Sequence, residues 1–254
     1  MATTVDATGS SHAALHVAGL RFRHAAAFLE GDGTAPAANR WTIDIGSLSL
    51  ARGEHLLLTG SSGSGKSTLL QVIAGLLDPS EGRVEIHGTP IHTLRGAARD
   101  RFRGRHVGMI FQTFNLLHGF SALENVMAAL MFSEVPTREH RERAAALLSR
   151  LGITDHHRHA DRMSVGQQQR VAVARAIACG PDLVLADEPT ASLDPENARG
   201  AVELIREACR ASGAALLCVS HDPLLHNQFE RRVALHDLAS HAGAQAATQN
   251  GGGR

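Results

Sequence analysis

The residues with the clearest chemistry form a glycine-rich stretch, Gly60 to Ser67, which matches the pattern G-x-x-x-x-G-K-[ST]. It follows an apolar run and precedes a predicted helix, so backbone N–H groups and the helix amino terminus can surround a phosphate. Lys66 can neutralise phosphate oxygens, and the Ser67 hydroxyl can bind Mg²⁺. A merely flexible Gly/Ser loop is the alternative, but the full match in this context disfavours it. The stretch therefore predicts nucleotide binding.

Two adjacent carboxylates end a later apolar run, Leu183 to Ala186. Ligands collect at the carboxyl ends of parallel strands, so Asp187 is positioned to hold Mg²⁺ through its water shell. Glu188 would then polarise a water molecule toward the terminal phosphate. An isolated pair of this kind would more often cap a turn, but the upstream phosphate loop favours catalysis. We therefore expect Asp187 to serve the metal and Glu188 to be catalytic.

Composition narrows the class of protein. The 254 residues include 25 Lys+Arg and 25 Asp+Glu, so no overall field attracts nucleic acid or anionic lipid. Three cysteines without paired or metal-like spacing favour a reduced, cytosolic setting. The first residues lack the pattern of a signal peptide, and no apolar run is long enough to cross a bilayer. We therefore expect a cytoplasmic protein that does not itself span a membrane.

Apolar patterning predicts an α/β fold. Continuous runs rich in Val, Ile and Leu alternate with helical patterns, as is typical of strands buried on both faces of a parallel sheet. These runs are Leu56–Thr59, Val107–Phe111, Leu183–Ala186 and Ala214–Val219. An antiparallel flank is predicted from Leu15–Phe22, Trp41–Leu50 and Glu81–His87. Residues 1–13 and 239–254 have little periodicity and predict disordered tails, which leaves 14–238 as one domain.

Residues 114–161 differ in character and predict a helical subdomain inserted into this core. Ser121 and Glu124 have the spacing of a capping box. Thr137 is positioned to cap a further helix. The apolar face of that helix would consist of Ala144, Leu147, Leu148 and Leu151.

Two further segments carry a family resemblance. Residues 163–170 read Met-Ser-Val-Gly-Gln-Gln-Gln-Arg, and residues 183–190 read Leu-Val-Leu-Ala-Asp-Glu-Pro-Thr. Together with the phosphate loop, and in this order, they resemble the ATP-binding subunit of an ABC transporter over about Leu15 to Leu238. The resemblance implies a P-loop NTPase fold with a RecA-like parallel core, which binds and hydrolyses ATP with Mg²⁺.

The same resemblance implies a role for each matching residue. The expected ATP-binding residues are Gly60, Ser61, Ser62, Gly63, Ser64, Gly65, Lys66, Ser67 and Thr68 in the phosphate loop, Ser164, Gly166 and Gln167 in the signature, and Asp194 in the D-loop. The expected catalytic residues are Glu188, His221 and Gln112, and the expected metal residues are Ser67, Gln112 and Asp187. Gln112 would sense Mg²⁺ and water, although an exposed glutamine at a strand end is the ordinary alternative. His221 would bond to the γ-phosphate.

The signature is expected to act on a neighbouring copy of the chain. Ser164 is predicted to cap a helix whose amino terminus suits a phosphate. In the family this terminus serves the partner's ATP, which implies a homodimer with two ATP molecules sandwiched head to tail. The sequence departs from the commoner Leu-Ser-Gly-Gly-Gln at Met163 and Val165. Because Val165 stiffens the turn, we expect altered affinity or turnover.

Adenine recognition rests on a weaker pattern. The family usually stacks the base on an aromatic residue near the first strand, often tyrosine, and this chain contains no tyrosine. His24 takes that place, with Phe28 and Trp41 as rivals. Three histidines between 156 and 159 suggest a metal site, but their spacing does not put them on one helical face, and no cysteine is near in sequence. A metal site there is disfavoured.

The insert points to a branch of the family. Residues 111–126 resemble the lipoprotein-release, macrolide-export and cell-division ATPases, which implies a separate transmembrane permease as partner. Its coupling helix would enter a cleft between the sheet core and 114–126, and the subunit would lie on the cytoplasmic face of the inner membrane. A mechanical or signalling ATPase that transports no solute is the alternative. Neutral charge and a single cassette disfavour a ribosome- or DNA-bound protein.

Overall fold

The computed structural model describes residues 13–24, 41–191, 193 and 195–239. The described strands are β1 (Ala13–Phe22), β2 (Ile43–Ala51), β3 (His55–Thr59), β4 (Glu81–Ile86), β5 (Thr89–Pro90), β6 (Val107–Ile110), β7 (Leu183–Asp187), β8 (Ala215–Ser220) and β9 (Arg231–Ala234). The described α-helices are α1 (Lys66–Ile73), α2 (Gly96–His106), α3 (Ala122–Leu130), α4 (Thr137–Arg150), α5 (Val165–Ile177) and α6 (Pro195–Ser212). Apart from Ala13 and Ala239, the predicted tails lie outside these residues. No helix in this part of the chain has the length and apolarity needed to cross a membrane.

The core is a parallel sheet with strand order β6-β7-β8-β3-β9. Side chains of β3 alternate between its two faces: Leu57 packs in one apolar cluster, while Leu56 and Leu58 pack in the other. Burial on both faces explains why the central strands are continuously apolar. Thr59, Asp187 and the last residue of β8 come together at the carboxyl edge of this sheet.

A second, antiparallel sheet has strand order β2-β1-β4-β5, which confirms the predicted flank. In its register Leu20 lies opposite Ile45, and Val17 lies opposite Val84. These four side chains are almost fully buried and pack in the same apolar cluster as Leu56 of β3. The flank is therefore fixed to the parallel sheet through a shared core.

Helices α3, α4 and α5 occupy the chain between β6 and β7. The capping box predicted at α3 is present, since Ser121 N donates to Glu124 Oε2 at 2.8 Å and Glu124 N donates to Ser121 Oγ at 3.3 Å. The prediction that Thr137 caps α4 is wrong, because Pro136 is the N-cap and Thr137 is the first helical residue. Proline fixes φ at −56° with extended ψ of 135°, so the chain enters the helix one residue earlier. The expected apolar face is buried at Ala144, Leu148 and Leu151, with Leu147 partly buried.

Candidate nucleotide site

The predicted phosphate loop connects β3 to α1 at the carboxyl edge of the parallel sheet. Gly63 and Gly65 have φ values of +74° and +94°, which favour glycine. A Cβ atom on Gly65 would lie 2.6 Å from the carbonyl oxygen of Thr42, so a larger residue would push the loop away from the start of β2. Gly65 is also the N-cap of α1, so the unpaired N–H groups of that helix open onto the loop.

Lys66 folds back over this loop, and its side chain is only 6 % exposed. Its Nζ donates to the carbonyl oxygens of Gly60 at 2.8 Å and Ser61 at 2.9 Å, and lies 3.5 Å from Glu188 Oε1. The Oγ atom of Ser64 is buried and has no hydrogen-bond partner among the described residues. A buried ammonium suits a ligand rich in acceptor oxygens. These residues therefore fit the phosphates of a nucleotide.

Ser67 and Asp187 connect α1 to the end of β7. Ser67 Oγ donates to Asp187 Oδ1 at 2.9 Å. Burial raises the pKa of Asp187 and the charge of Glu188 adds to this effect, while the bond from Ser67 and the charge of Lys66 oppose it. Mg²⁺ prefers hydroxyl and carboxylate oxygens, and a cation beside Asp187 would stabilise its partly buried charge. The pair therefore fits Mg²⁺.

Glu188 has a strained backbone and a fixed side chain. Its φ of +43° is unusual for a residue with a Cβ atom and costs about 1–3 kcal/mol. Oε2 accepts hydrogen bonds from Ser220 Oγ at 3.0 Å and His221 N at 3.3 Å, while His221 Nδ1 lies 2.8 Å from Oε1. Burial acts to raise the pKa of Glu188, but the hydrogen bonds from His221 and Ser220 outweigh it and lower the pKa. These contacts hold an ionised carboxylate beside Lys66.

Two buried polar residues of the site were missed by sequence reasoning. Ser220, 1 % exposed, donates to Glu188 from the end of β8. Gln169 on α5 is also buried, and its Nε2 donates to the carbonyl oxygen of Pro189 at 3.4 Å. A hydroxyl directly before His221 was an available signal for Ser220. Gln169 stands in a run of three glutamines, where only the buried face of α5 distinguishes it.

The other predicted catalytic residues lie at neighbouring strand ends. Gln112 is exposed and lies two residues beyond β6, which pairs with β7 and brings Gln112 to the edge that carries Asp187. His221 directly follows β8, which pairs with β7 on its other side. Its imidazole is 59 % exposed although its Nδ1 contacts Glu188. The topology thus brings Gln112, Glu188 and His221 to one edge of the sheet.

The signature residues are arranged differently. Ser164 caps α5, with its Oγ accepting from Gln167 N at 3.3 Å and Gln167 Oε1 accepting from Ser164 N at 3.0 Å. A Cβ atom on Gly166 would have no neighbour within 4 Å, and Val165 is 46 % exposed. Within the described part of the chain, none of their hydrogen bonds reaches the phosphate loop. The structure does not join the signature to the phosphate loop of the same chain.

Two of the three candidates for adenine stacking are described. His24 follows β1 and is exposed, with its ring perpendicular to that of Phe22 at 5.0 Å between centroids. The ring of Trp41 is covered by Arg23, whose guanidinium carbon lies 5.0 Å from the ring centroid. The guanidinium carbon of Arg21 lies 5.8 Å from the same centroid, so two guanidinium groups already contact the Trp41 ring. Phe28 and the predicted D-loop residue Asp194 lie outside the described residues.

The histidines between 156 and 159 make no metal-like arrangement. His156 Nε2 lies 3.0 Å from Ser149 Oγ. In the residues that the structure describes, no group of three or more His, Cys, Asp or Glu side chains is arranged to hold a metal ion. The geometry gives this cluster no role in the candidate site.

Comparison with known proteins identifies the family. The ABC transporter family model matches residues 43–191. The chain is 39 % identical over 192 residues to the ABC transporter ATP-binding protein YtrE of Bacillus subtilis strain 168, covering 75 % of this chain and 83 % of YtrE. It is 43 % identical over 189 residues to the lipoprotein-releasing system ATP-binding protein LolD of Pseudomonas syringae pv. tomato, covering 74 % of this chain and 83 % of LolD.

Solved structures that resemble this chain come from the same family. One is a dimer of the ATP-binding cassette MJ0796 in a post-hydrolysis state bound to ADP and Pi, with a TM-score of 0.70 and 30 % identity over 87 % of this chain and 93 % of that one. Another is CbiO1 from Clostridium perfringens, part of the CbiONQ transporter complex, with a TM-score of 0.73 and 26 % identity over 88 % and 84 % of the two chains. The predicted α/β P-loop NTPase fold is therefore confirmed. The chain belongs to the ABC transporter family, whose ATP-binding subunits bind and hydrolyse ATP to power transport.

Proposed function

We propose that this chain is the ATP-hydrolysing subunit of a bacterial-type ABC transporter and drives a separate membrane permease of the lipoprotein-release or macrolide-export kind. One observation carries the proposal: Lys66, Ser67, Asp187 and Glu188 converge at the carboxyl edge of the parallel sheet. Ser67 and Asp187 share a hydrogen bond, and Lys66 and Glu188 form an ion pair. The similarity to LolD supports the branch.

The phosphate loop would hold the β- and γ-phosphates of ATP. Lys66 would exchange its bonds to loop carbonyls for bonds to phosphate oxygens. Ser67 and Asp187 would hold Mg²⁺, with Gln112 as a further contact. When bound, Mg²⁺ supplies positive charge that neutralises phosphate oxygens.

Glu188 would orient the attacking water and take up its proton at a carboxylate oxygen. Ser220 and His221 fix that carboxylate, and their hydrogen bonds keep it ionised. The exposed part of the His221 ring would reach toward the terminal phosphate. The strained φ of Glu188 fits this role, because strain is retained where surrounding contacts determine the position of a functional group.

A second copy of the chain would complete each site. Ser164, Gly166 and Gln167 would contact ATP held by the partner, with Asp194 beside them, in a head-to-tail homodimer. Support comes from the described hydrogen bonds of the signature, which stay within its own helix, and from the exposed first turn of α5. MJ0796 is itself seen as a dimer.

The permease would dock in a groove beside β6. Two adjoining cavities of about 400 and 220 Å³ share Gly104, Val107, Met109 and Phe132, and Phe132 is 57 % exposed. Such an apolar groove accepts one face of an amphipathic helix. The groove lies between α2 and β6 on one side and Phe132 of the proposed helical subdomain 114–161 on the other. None of the four shared residues falls within 114–126, so this groove is a different entry point from the cleft expected there. The proposed ATP-binding domain spans residues 14–238. The subunit would then sit on the cytoplasmic face of the inner membrane.

The Glu188→Gln variant tests the catalytic assignment. We expect ATP binding to persist while hydrolysis falls at least about 100-fold, because the general base is lost. Size-exclusion chromatography should show an ATP-bound dimer accumulating. Glu207→Gln, at an exposed position of α6, is the matched control and should hydrolyse ATP at the parental rate. Hydrolysis at the parental rate by Glu188→Gln would overturn the assignment.

Vesicles that contain this chain and its co-purified permease test the transport assignment. We expect ATP-dependent movement or release of a cargo, and the Glu188→Gln variant should abolish it. ATP turnover that depends on the permease but moves no cargo would overturn transport. That result would instead support the mechanical or signalling alternative.

A further inference from the structure

The backbone shortly after Gln112 is strained at two consecutive residues, Phe114 and Asn115, which we call the strained pair. Their φ values are +58° and +46°, and neither residue is glycine. Asparagine tolerates this left-handed conformation, but a bulky residue such as phenylalanine rarely adopts it. Residues with such strain keep their conformation only where surrounding contacts hold them. The strained pair therefore requires contacts that fix it.

Arg175 of α5 supplies two of these contacts. Its Nη2 donates to the carbonyl oxygen of Phe114 at 2.6 Å, and its Nη1 donates to the carbonyl oxygen of Asn115 at 2.5 Å. The planar guanidinium thus binds both carbonyl groups of the strained pair at once. In the described part of the chain, the Arg175 side chain has no other hydrogen-bond partner and no ion pair. Its two bonds therefore serve the strained pair alone.

Burial makes these contacts costly to lose. Burial lowers the pKa of Arg175, because its guanidinium is partly removed from water, and a buried charge needs hydrogen-bond partners. Phe114 is 4 % exposed, so its side chain is also fixed by packing. The N–H groups of the pair bond locally, from Phe114 to the Phe111 carbonyl at 3.0 Å and from Asn115 to the Thr113 carbonyl at 2.7 Å. Arg175 connects this local turn to α5.

Gln112 lies between two fixed points of the backbone. β6 ends at Ile110, two residues before Gln112, and the strained pair begins two residues after it. Two residues span at most about 7 Å, so a displacement of the pair also moves Gln112. None of the hydrogen bonds of Arg175 reaches the proposed phosphate or metal residues. Any effect of Arg175 on the nucleotide site must therefore pass through this segment.

We infer that Arg175 is a positioning residue for ATP hydrolysis. By holding Phe114 and Asn115, it fixes the place of Gln112 at the carboxyl edge of the parallel sheet. The inference rests on the proposed contact of Gln112 with Mg²⁺.

Hydrogen exchange of the nucleotide-free chain tests whether Arg175 holds the segment. Arg175→Met keeps an unbranched side chain without donors, and peptides covering 112–117 should exchange about tenfold faster. Arg143→Met is the matched control, because Arg143 Nε of α4 donates to the carbonyl oxygen of Ala178 at 2.7 Å. This variant removes the same kind of bond elsewhere and should leave exchange of 112–117 unchanged. Parental exchange in Arg175→Met would overturn the inference.

Steady-state ATP hydrolysis tests the connection to Gln112. Arg175→Met should lower kcat about tenfold and raise the Mg²⁺ concentration for half-maximal rate about threefold, because Gln112 is displaced. ATP affinity without Mg²⁺ should stay at the parental value, since the phosphate loop is unchanged. In a Gln112→Ala background, Arg175→Met should have no further effect, because residues that act through one contact are not additive. Arg143→Met should keep the parental kcat.

The double variant separates positioning from packing. A second fall in kcat of the same size in the Gln112→Ala background would mean that Arg175 acts through the stability of α5, and would overturn the inference. Arg175→Lys keeps the charge and can keep one of the two bonds, so it should show a smaller fall in kcat. The same cycle with Gln112→Ala applies to it if Arg175→Met does not fold.

Failure here is distinct from failure of the proposed function. Parental kcat in Gln112→Ala would overturn the proposed role of Gln112 and this inference with it. Impaired hydrolysis by Gln112→Ala together with parental kcat in Arg175→Met would overturn this inference alone.

Discussion

The phosphate-binding network (Lys66, Ser67, Asp187, Glu188 and Ser220) and the signature (residues 164–167) satisfy their polar side chains in different ways. In the phosphate-binding network, hydrogen bonds join different elements: Ser67 of α1 donates to Asp187 of β7, and Ser220 of β8 donates to Glu188. In the signature, the hydrogen bonds of Ser164 to described residues stay within the first turn of its own helix. The first region is a network that several elements hold in place, whereas the second is a single exposed helix terminus.

This difference has a consequence for function. A network fixed by several elements is already positioned before ATP arrives, and fixed polar groups are the most effective at stabilising developing charge. An exposed helix terminus keeps unpaired N–H groups that another molecule can use. Variants of the network should therefore impair ATP binding or hydrolysis by the chain that carries them. Variants of the terminus should spare ATP binding by that chain and change only the turnover of the proposed pair.

The largest effect is expected from Lys66→Ala. Loss of the buried ammonium should lower ATP affinity at least about tenfold and abolish hydrolysis, because a charge-assisted contact to phosphate disappears. Isothermal titration calorimetry measures the affinity, and Arg101→Ala, an exposed cation on α2, is the control. Lys66 is also the only lysine of the chain, so ATP should protect a single side-chain amine from acylation. Unchanged affinity in the variant, or labelling that ATP does not slow, would remove Lys66 from the site.

Ser220→Ala should reduce kcat about tenfold at pH 7. The Ser220 hydroxyl helps to lower the pKa of Glu188, so its removal should raise that pKa. Glu188 would then take up a proton at a higher pH, and the acid limb of the kcat profile should move upward. Ser220→Thr keeps the hydroxyl and should restore both values. A loss of kcat with an unmoved acid limb would reduce Ser220 to a packing residue.

Ser164→Ala compares two equivalent capping boxes. The substitution should lower the free energy of unfolding by about 1 kcal/mol and should leave ATP affinity unchanged, because the cap stabilises only the first turn of α5. Turnover should fall about tenfold if the partner's ATP needs this terminus. Ser121→Ala removes the matching capping box of α3 and should cost similar stability without the loss of turnover. Equal turnover in the two variants would contradict a direct role of the signature.

The sequence predicts elements whose signal is local. β3, β7 and β8 are continuous apolar runs, and the phosphate loop is defined within eight positions. β9 was not predicted, because two of its four residues are arginine and it extends only by pairing with β3. The helix α2 was missed because it has no apolar stripe and buries none of its residues. β9 depends on its pairing with β3, and α2 is held by partly buried contacts: Arg99 Nη1 donates to the carbonyl oxygen of Gly75 at 3.4 Å, and Phe102 packs against the core. Local periodicity records neither.

The same distinction applies to the candidate site. Lys66 and Glu188 stand in local motifs, so the sequence identifies them. The role of Ser220 depends on the pairing of β7 with β8 and on the positive φ of Glu188, neither of which a short pattern encodes. Thr137 shows the opposite error. The sequence predicted Thr137 as the N-cap of α4 because threonine is a good capping residue, whereas Pro136 takes that position in the structure.

Val165→Gly is expected to have the smallest effect and gives the sharpest test of the comparison. The exposed isopropyl group stands on the first residue of α5, beside Gly166, and would limit how closely a partner's ATP approaches the helix terminus. Glycine should lower the free energy of unfolding by about 0.5–1 kcal/mol, since it loses more backbone entropy on folding. ATP affinity should stay unchanged while turnover rises about two- to threefold, which corresponds to less than 1.4 kcal/mol of barrier. Both Val165→Gly and Ser164→Ala destabilise α5, so opposite changes in turnover can arise only from contact with the partner's ATP and not from helix stability. A fall in turnover for both variants would mean that the stability of α5 controls the rate. The signature would then act only through the stability of its helix and not through contact with the partner's ATP.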